Sequence, residues 1–104
     1  MSQERRGQLI RMMSDARSKN VKLIFFWPPV YTLPSKESLI ESQLDSLASQ
    51  YDNVTVINDA QDEYFLNHLE MFFDYIHLNG DGALVYSRQF ASKVKDIING
   101  NNVQ

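Results

Sequence analysis

An aspartate and a histidine three positions apart, Asp74 and His77, are the residues whose types and spacing best suit catalysis. An imidazole can take a proton from a serine hydroxyl near neutral pH. A carboxylate beside the ring holds the tautomer that accepts this proton and stabilises the imidazolium that forms. In a turn or a single helical twist, a spacing of three residues brings the carboxylate beside the ring. The pattern therefore predicts the acid and base of a hydrolytic triad.

The same pattern has a simpler interpretation. D-x-x-H arises by chance in many proteins, and a helix-capping aspartate followed by a partly exposed histidine would also produce it. A nucleophile would separate the two interpretations, but no serine lies in a setting typical of one, and the sequence contains no cysteine. In the stretch N-G-D-G-A, Ala83 stands where a nucleophile would be needed.

Imidazole and carboxylate groups near the pair raise the alternative of a metal site. His68, Glu70, Asp74 and His77 lie within ten residues, and zinc accepts such ligands. A His-x₈-His spacing without a firm helical register is nevertheless a poor match to known ligand spacings. We therefore predict no metal and no cofactor.

A second candidate region is the proline-rich stretch P-P-V-Y-T-L-P, which follows an apolar run. Trp27, Pro28 and Pro29 would lie at the carboxyl end of a parallel strand, where α/β folds bind ligands. These three residues are predicted to form a rigid substrate-binding lip, although a well-packed loop would have the same sequence.

Composition excludes several function classes. The 104 residues carry a net charge of −3, so there is no basic footprint for nucleic acid, and the arginines near the start are interpreted as a solvated helix face. No window approaches the roughly eighteen apolar residues of a membrane-spanning helix, so no membrane segment is predicted.

Hydrophobic periodicity predicts the elements that would position these residues. Amphipathic helices are expected over 3–19, 36–50 and 82–98, with a short helix near 61–71. The nearly unbroken apolar run V-K-L-I-F-F-W, 21–27, is typical of a strand covered on both faces, and N-V-T-V-I, 53–57, is a second strand.

This order predicts a single α/β domain over residues 1–104. Because short strand–helix–strand connections give parallel strands, we expect a partial three-layer α/β/α sandwich, flavodoxin-like, with a short parallel sheet. Two strands are few for such a sandwich. Something else should complete the sheet, and pairing with another copy would make the chain a homo-oligomer.

The stretch F-F-D-Y-I-H-L-N-G-D-G-A-L-V-Y-S-R-Q-F-A-S-K-V resembles the last motif of the SGNH, or GDSL-type, hydrolase superfamily. In that motif an apolar residue precedes D-x-x-H, and a glycine-containing turn leads into a final amphipathic helix. The upstream strand–loop–helix–strand order is similar too, so the resemblance covers roughly residues 5–98. It implies that Asp74 is the triad acid, that His77 is the triad base, and that the substrate is an ester or an acylated carbohydrate.

The sequence departs from that family at its other motifs. There is no Gly-Asp-Ser nucleophile motif, since Gly7 is followed by Gln8, and Val56 stands where the oxyanion motif G-x-N-D has glycine before Asn58-Asp59. The resemblance therefore implies the C-terminal part of a serine esterase or acyl hydrolase, inactive alone, whose serine lies in another segment. The alternative is a non-catalytic interaction or assembly module, or a degenerate relative.

Overall fold

A computed structural model describes residues 1–31 and 35–100, without the side chains of residues 35–38. Four helices, two strands and one 3₁₀ turn follow each other along these residues. In chain order they are α1 (Gln3–Ser18), β1 (Leu23–Trp27), α2 (Ser35–Ala48), β2 (Val54–Asn58), α3 (Glu63–Leu66), the 3₁₀ turn (Leu69–Met71) and α4 (Gly80–Ile98).

The two strands form a parallel pair. At the start of β1 the amide of Leu23 donates to the carbonyl of Asn53 at 2.9 Å, and beyond β2 the amide of Asp59 donates to the carbonyl of Trp27 at 2.9 Å. Because the partners advance along both strands in the same direction, the pairing is parallel. The predicted α/β character and the short parallel sheet are confirmed, with each strand within two residues of its expected bounds.

Residues 1–26 and 34–57 make up one compact unit. Helix α1 ends where expected, because Asn20 adopts a left-handed φ of 59°, a conformation that asparagine tolerates. The side chain of Asn53 donates to the carbonyl of Val21 at 3.1 Å, which holds the connection into β1. The buried apolar side chains of this unit are Met13, Ala16, Leu44, Leu47, Ala48 and Ile57.

Residues 27–33 and 58–104 make up the second compact unit. Its core is aromatic: the ring of Phe65 meets the rings of Phe72 and Tyr86 edge-on, at centroid distances of 6.3 and 6.0 Å. Partly buried side chains pack around these three rings, namely Tyr31, Met71, Leu78, Val85 and Phe90. The unit therefore has an apolar centre of its own.

The short helix predicted near 61–71 is present, but it covers only Glu63–Leu66. Two short pieces occupy that stretch, the four-residue helix α3 and the 3₁₀ turn. Asp62 caps α3 by accepting a hydrogen bond from the amide of Tyr64 at 2.9 Å. Such short pieces have little intrinsic helical stability, so the packing of Phe65 and Phe72 in the core must hold them in place.

Helix α4 begins at Gly80, slightly earlier than predicted, because Asn79 is its N-cap. The Asn79 side chain accepts from the amide of Gly82 at 2.9 Å and donates to the carbonyl of Glu70 at 2.6 Å. Its own amide donates to the carbonyl of Met71 at 2.9 Å. One residue thus joins the start of α4 to the 3₁₀ turn. None of the described helices combines the length and the apolar character needed to cross a membrane.

Candidate active site

Asp74 and His77 lie in a tight turn of the second unit. The turn is closed by an isolated antiparallel bridge between Phe72 and Leu78 and by a hydrogen bond from the amide of Phe73 to the carbonyl of His77 at 2.8 Å. The bridge faces the aromatic core, since Phe72 and Leu78 both pack there. The backbone on either side of the pair is therefore anchored, and the pair projects from the end of the turn.

The structure brings the two side chains together. Nδ1 of His77 lies 2.9 Å from Oδ1 and 3.0 Å from Oδ2 of Asp74. An ionised carboxylate can only accept, so in the neutral ring Nδ1 carries the proton and Nε2 has the free lone pair. The side chain of His77 is 65% exposed, and Nε2 has no hydrogen-bond partner within the described part of the chain. The ring is oriented as a general base requires.

The Asp74 carboxylate also holds the turn. Its Oδ1 accepts hydrogen bonds from the amides of Ile76, at 2.9 Å, and His77, at 2.8 Å. The bond from the Ile76 amide, followed by the bond from the His77 side chain, lowers the pKa of Asp74 below its ordinary value of 3.8. Asp74 is consequently a carboxylate at neutral pH, as an acid partner of histidine must be.

The proline-rich loop reaches this turn through Tyr31, which the sequence analysis did not single out. The amide of Tyr31 donates to the carbonyl of Tyr75 at 2.8 Å, and the two rings lie 5.7 Å apart. Of the three residues expected to bind substrate, Pro28 is exposed and Trp27 is half-buried. Pro29 is fully buried, so its ring contributes to packing and presents no surface to a ligand.

A second polar group lies just after β2. Asp59 is buried and accepts hydrogen bonds from the hydroxyl of Tyr86, at 3.0 Å, and from the ammonium group of Lys93. Burial, followed by the nearby charge of Asp59, raises the pKa of the Tyr86 hydroxyl. Two features of the sequence point to this cluster of Asp59, Tyr86 and Lys93. An acidic residue directly follows a strand, and Tyr86 and Lys93 are seven residues apart and so lie on one face of a helix. The Tyr86 hydroxyl and the Lys93 ammonium group donate the hydrogen bonds that a buried carboxylate needs, so their role is structural.

The other histidine lies outside the pair. The ring of His68 stacks on that of Tyr64 at 4.1 Å, and its Nδ1 lies 2.5 Å from the Tyr64 carbonyl. Among the described residues, no cluster of three or more histidine, aspartate and glutamate side chains is placed to hold a metal ion. The alternative ligand set of His68, Glu70, Asp74 and His77 therefore does not form such a cluster in the described part of the chain.

The turn holds an oriented imidazole beside a carboxylate. Nε2 of His77 can accept a proton, and Asp74 can stabilise the resulting imidazolium. No serine, threonine or tyrosine hydroxyl of the described residues is hydrogen-bonded to His77. Comparisons with protein families, with curated proteins and with solved structures find no match for this chain. The geometry of the turn and the motif around it are therefore the basis for assigning a function.

Proposed function

We propose that this chain is the C-terminal part of an SGNH-type serine esterase or acyl hydrolase, with Asp74 as the triad acid and His77 as the base. The nucleophilic serine and the oxyanion donors would come from a segment outside this chain. The reaction would be hydrolysis of an ester, such as an acyl group on a carbohydrate, or a related acyl transfer.

The observation that carries the proposal is the hydrogen bond between Nδ1 of His77 and the Asp74 carboxylate, together with the exposure of the ring. A serine hydroxyl from another segment could reach Nε2, which is exposed and is the unprotonated nitrogen of the neutral ring. The base would then take the hydroxyl proton during attack on the ester carbonyl and return it to the leaving alcohol.

The proposal also accounts for the small sheet. In a complete domain, β1 and β2 would be two strands of a larger parallel sheet within a three-layer α/β/α sandwich. The additional strands would come from the segment that carries the serine, or a second copy of this chain would extend the sheet into a homo-oligomer. Either arrangement would cover strand edges that a two-stranded sheet leaves without a β partner.

A non-catalytic interaction or assembly module is the second candidate. One observation favours it: Oδ1 of Asp74 accepts two backbone amides of the turn, which by itself is a sufficient structural reason for an aspartate at this position. In that case the histidine contact is a by-product of the turn, and the chain serves to bind a partner.

An esterase assay on the whole protein that carries this chain separates the two candidates. Short-chain nitrophenyl esters are the substrates, and His77→Gln is the test variant. Loss of a general base should lower kcat/KM by at least about 10²–10⁴-fold. His68→Gln is the matched control, because it removes the other histidine of this 104-residue chain, and it should leave kcat/KM unchanged. Absence of turnover by the wild type, or equal activity of the two variants, would contradict the proposal.

The 104-residue chain alone should be catalytically silent. An oriented base without a nucleophile can only assist water, and absence of oxyanion donors commonly costs a further 10²–10³-fold, on the order of 3–4 kcal/mol. Triad members also fail together rather than additively. Ester turnover by the isolated chain would show that a nucleophile lies within it.

A further inference from the structure

The dipeptide Asn-Gly occurs at both ends of α4. Asn79–Gly80 begins the helix, and Asn99–Gly100 follows its last residue. The other asparagines of the chain are followed by larger residues. An Asn-Gly pair is chemically labile, because glycine has no Cβ to hinder attack of its own nitrogen on the asparagine side chain. The structure gives the two pairs very different surroundings.

The reaction open to such a pair is deamidation. The backbone nitrogen of the glycine loses its proton and attacks Cγ of the asparagine, and the bond between Cγ and Nδ2 breaks with loss of ammonia. Water then opens the resulting succinimide ring at either carbonyl and leaves an aspartate or an isoaspartate. The net change is hydrolysis of a side-chain amide to a carboxylate, with water as the co-reactant. The attack requires an asparagine side chain that can rotate toward the next nitrogen and a glycine nitrogen that can leave its hydrogen bond.

Asn79 is held against this reaction at both ends of its side-chain amide. Oδ1 accepts from the amide of Gly82 at 2.9 Å, and Nδ2 donates to the carbonyl of Glu70 at 2.6 Å. The backbone amide of Asn79 donates to the carbonyl of Met71 at 2.9 Å. Rotation of the side chain toward the nitrogen of Gly80 would break both side-chain hydrogen bonds. Deamidation of Asn79 therefore requires local opening of this connection.

Asn99 has no such restraint. It is the C-cap of α4, it is exposed, and its side chain makes no hydrogen bond within the described part of the chain. The attacking nitrogen, that of Gly100, has to give up one hydrogen bond, to the carbonyl of Ile97 at 3.1 Å. Such bonds open readily because helix ends fray. Gly100 has a φ of 78°, a conformation that glycine enters and leaves at no steric cost.

We propose that Asn99–Gly100 is a site of spontaneous deamidation in the folded chain, and that the hydrogen bonds of Asn79 protect the identical pair at the start of α4. The modification places a new carboxylate at the carboxyl end of the helix, where it opposes the helix dipole. Because α4 has 19 residues, the two pairs lie roughly 30 Å apart. Deamidation is thus directed away from the turn that carries Asp74 and His77, and the inference does not depend on the proposed function.

Peptide mapping by mass spectrometry tests this assignment on the whole 104-residue chain. The protein is incubated in mildly alkaline buffer, with and without urea, and the mass change from NH₂ to OH is followed at both asparagines. In native buffer Asn99 should convert at least about tenfold faster than Asn79, because two side-chain hydrogen bonds must first break at Asn79. In urea the two pairs should convert at similar rates.

Gly82→Ala should remove the protection selectively. A Cβ at this position would overlap the carbonyl oxygen of Met71, so the start of α4 must shift and the conversion of Asn79 should accelerate. The conversion of Asn99 should stay the same. Gly7→Ala is the matched control, because a Cβ there meets no atom within 4 Å, and it should change neither rate.

Conversion of Asn79 as fast as that of Asn99 in native buffer would overturn the inference. So would a preference for Asn99 that persists in urea, because the local sequence and not the fold would then decide it. A native chain in which neither pair converts, while both convert in urea, would remove Asn99 as a site. An unchanged rate at Asn79 in folded Gly82→Ala would show that the connection to Met71 is not what protects it.

Discussion

Both oxygens of the Asp74 carboxylate lie within hydrogen-bond distance of the imidazole, but they differ in their contacts with the turn. Oδ1 lies 2.9 Å from Nδ1 of His77 and also accepts the amides of Ile76 and His77, whereas Oδ2 lies 3.0 Å from Nδ1 and accepts no amide of the described turn. An asparagine at this position could keep its carbonyl oxygen on the two amides and present its NH₂ group to the ring. The structural role and the proposed catalytic role of Asp74 can therefore be separated by one substitution.

At Tyr86, a single hydroxyl satisfies a buried carboxylate. Tyr86→Phe leaves Oδ2 of Asp59 without this donor, which should lower the free energy of unfolding by about 1–3 kcal/mol. Urea denaturation measures the loss. Tyr64→Phe is the control, because within the described residues the Tyr64 hydroxyl has no recorded partner, and it should cost much less.

The contribution of Tyr86 to stability should depend on alkaline pH. Its pKa is raised in the folded state, so the hydroxyl contributes fully below the ordinary value of 10.0, and the contribution is lost as the pH rises above it. The difference in stability between the wild type and Tyr86→Phe should therefore shrink above pH 10.0. A difference in stability that stays constant above pH 10.0 would contradict the hydrogen bond between Tyr86 and Asp59.

At the scale of elements, α4 is placed by close contact with the 3₁₀ turn. A Cβ on Gly82 would lie 2.1 Å from the carbonyl oxygen of Met71, whereas a Cβ on Gly80 would meet no atom within 4 Å. Only the second glycine of the N-G-D-G stretch is thus required by sterics. The connection matters for the site, because Asn79, which caps α4, follows His77 by only two residues.

Gly82→Ala should destabilise the protein by about 1–3 kcal/mol, since backbone atoms must separate to admit the methyl group. Gly80→Ala is the matched control and should be neutral or stabilising, by up to about 1 kcal/mol, because alanine favours the helix. Thermal unfolding of both variants provides the comparison. Equal stability of the two would mean that α4 does not approach Met71 as closely as the structure has it.

Long elements were predictable from the sequence because local signals agree with the final packing. The apolar run of β1 and the periodicity of α1 follow directly from residue types. Between Asn58 and Phe73 the local signals are weak, and contacts with Tyr86, more than ten residues later, decide the structure. The D-x-x-H spacing indicated the contact within the candidate site, but the approach of Tyr31 to Tyr75 depends on tertiary packing that no spacing encodes.

At the scale of the whole molecule, a two-stranded parallel sheet is the feature that most needs a partner. Phe26, the next-to-last residue of β1, is 48% exposed, which is unusual for an aromatic ring in a strand that should be covered. We therefore predict that the chain associates with itself. Light scattering should give a mass of at least twice the 12.1 kDa of the monomer.

A charge on the strand should weaken this association. Phe26→Lys places a cation where another sheet would pack, and lysine on exposed strands disfavours pairing. Leu39→Lys is the control on a helix surface and should leave the mass unchanged. A wild-type chain that stays at 12.1 kDa at high concentration would contradict the prediction of a homo-oligomer.

NMR of the ring nitrogens of His77 tests the proposed acid–base pair most directly. At a pH where the ring is neutral, the wild type should have its proton on Nδ1, held by Asp74, with Nε2 unprotonated. In Asp74→Asn the side-chain NH₂ group faces Nδ1, so the proton should move to Nε2 while the amide shifts of Ile76 and His77 report an intact turn. A ring that carries its proton on Nε2 in both proteins would contradict the pair and leave Asp74 with its structural role alone.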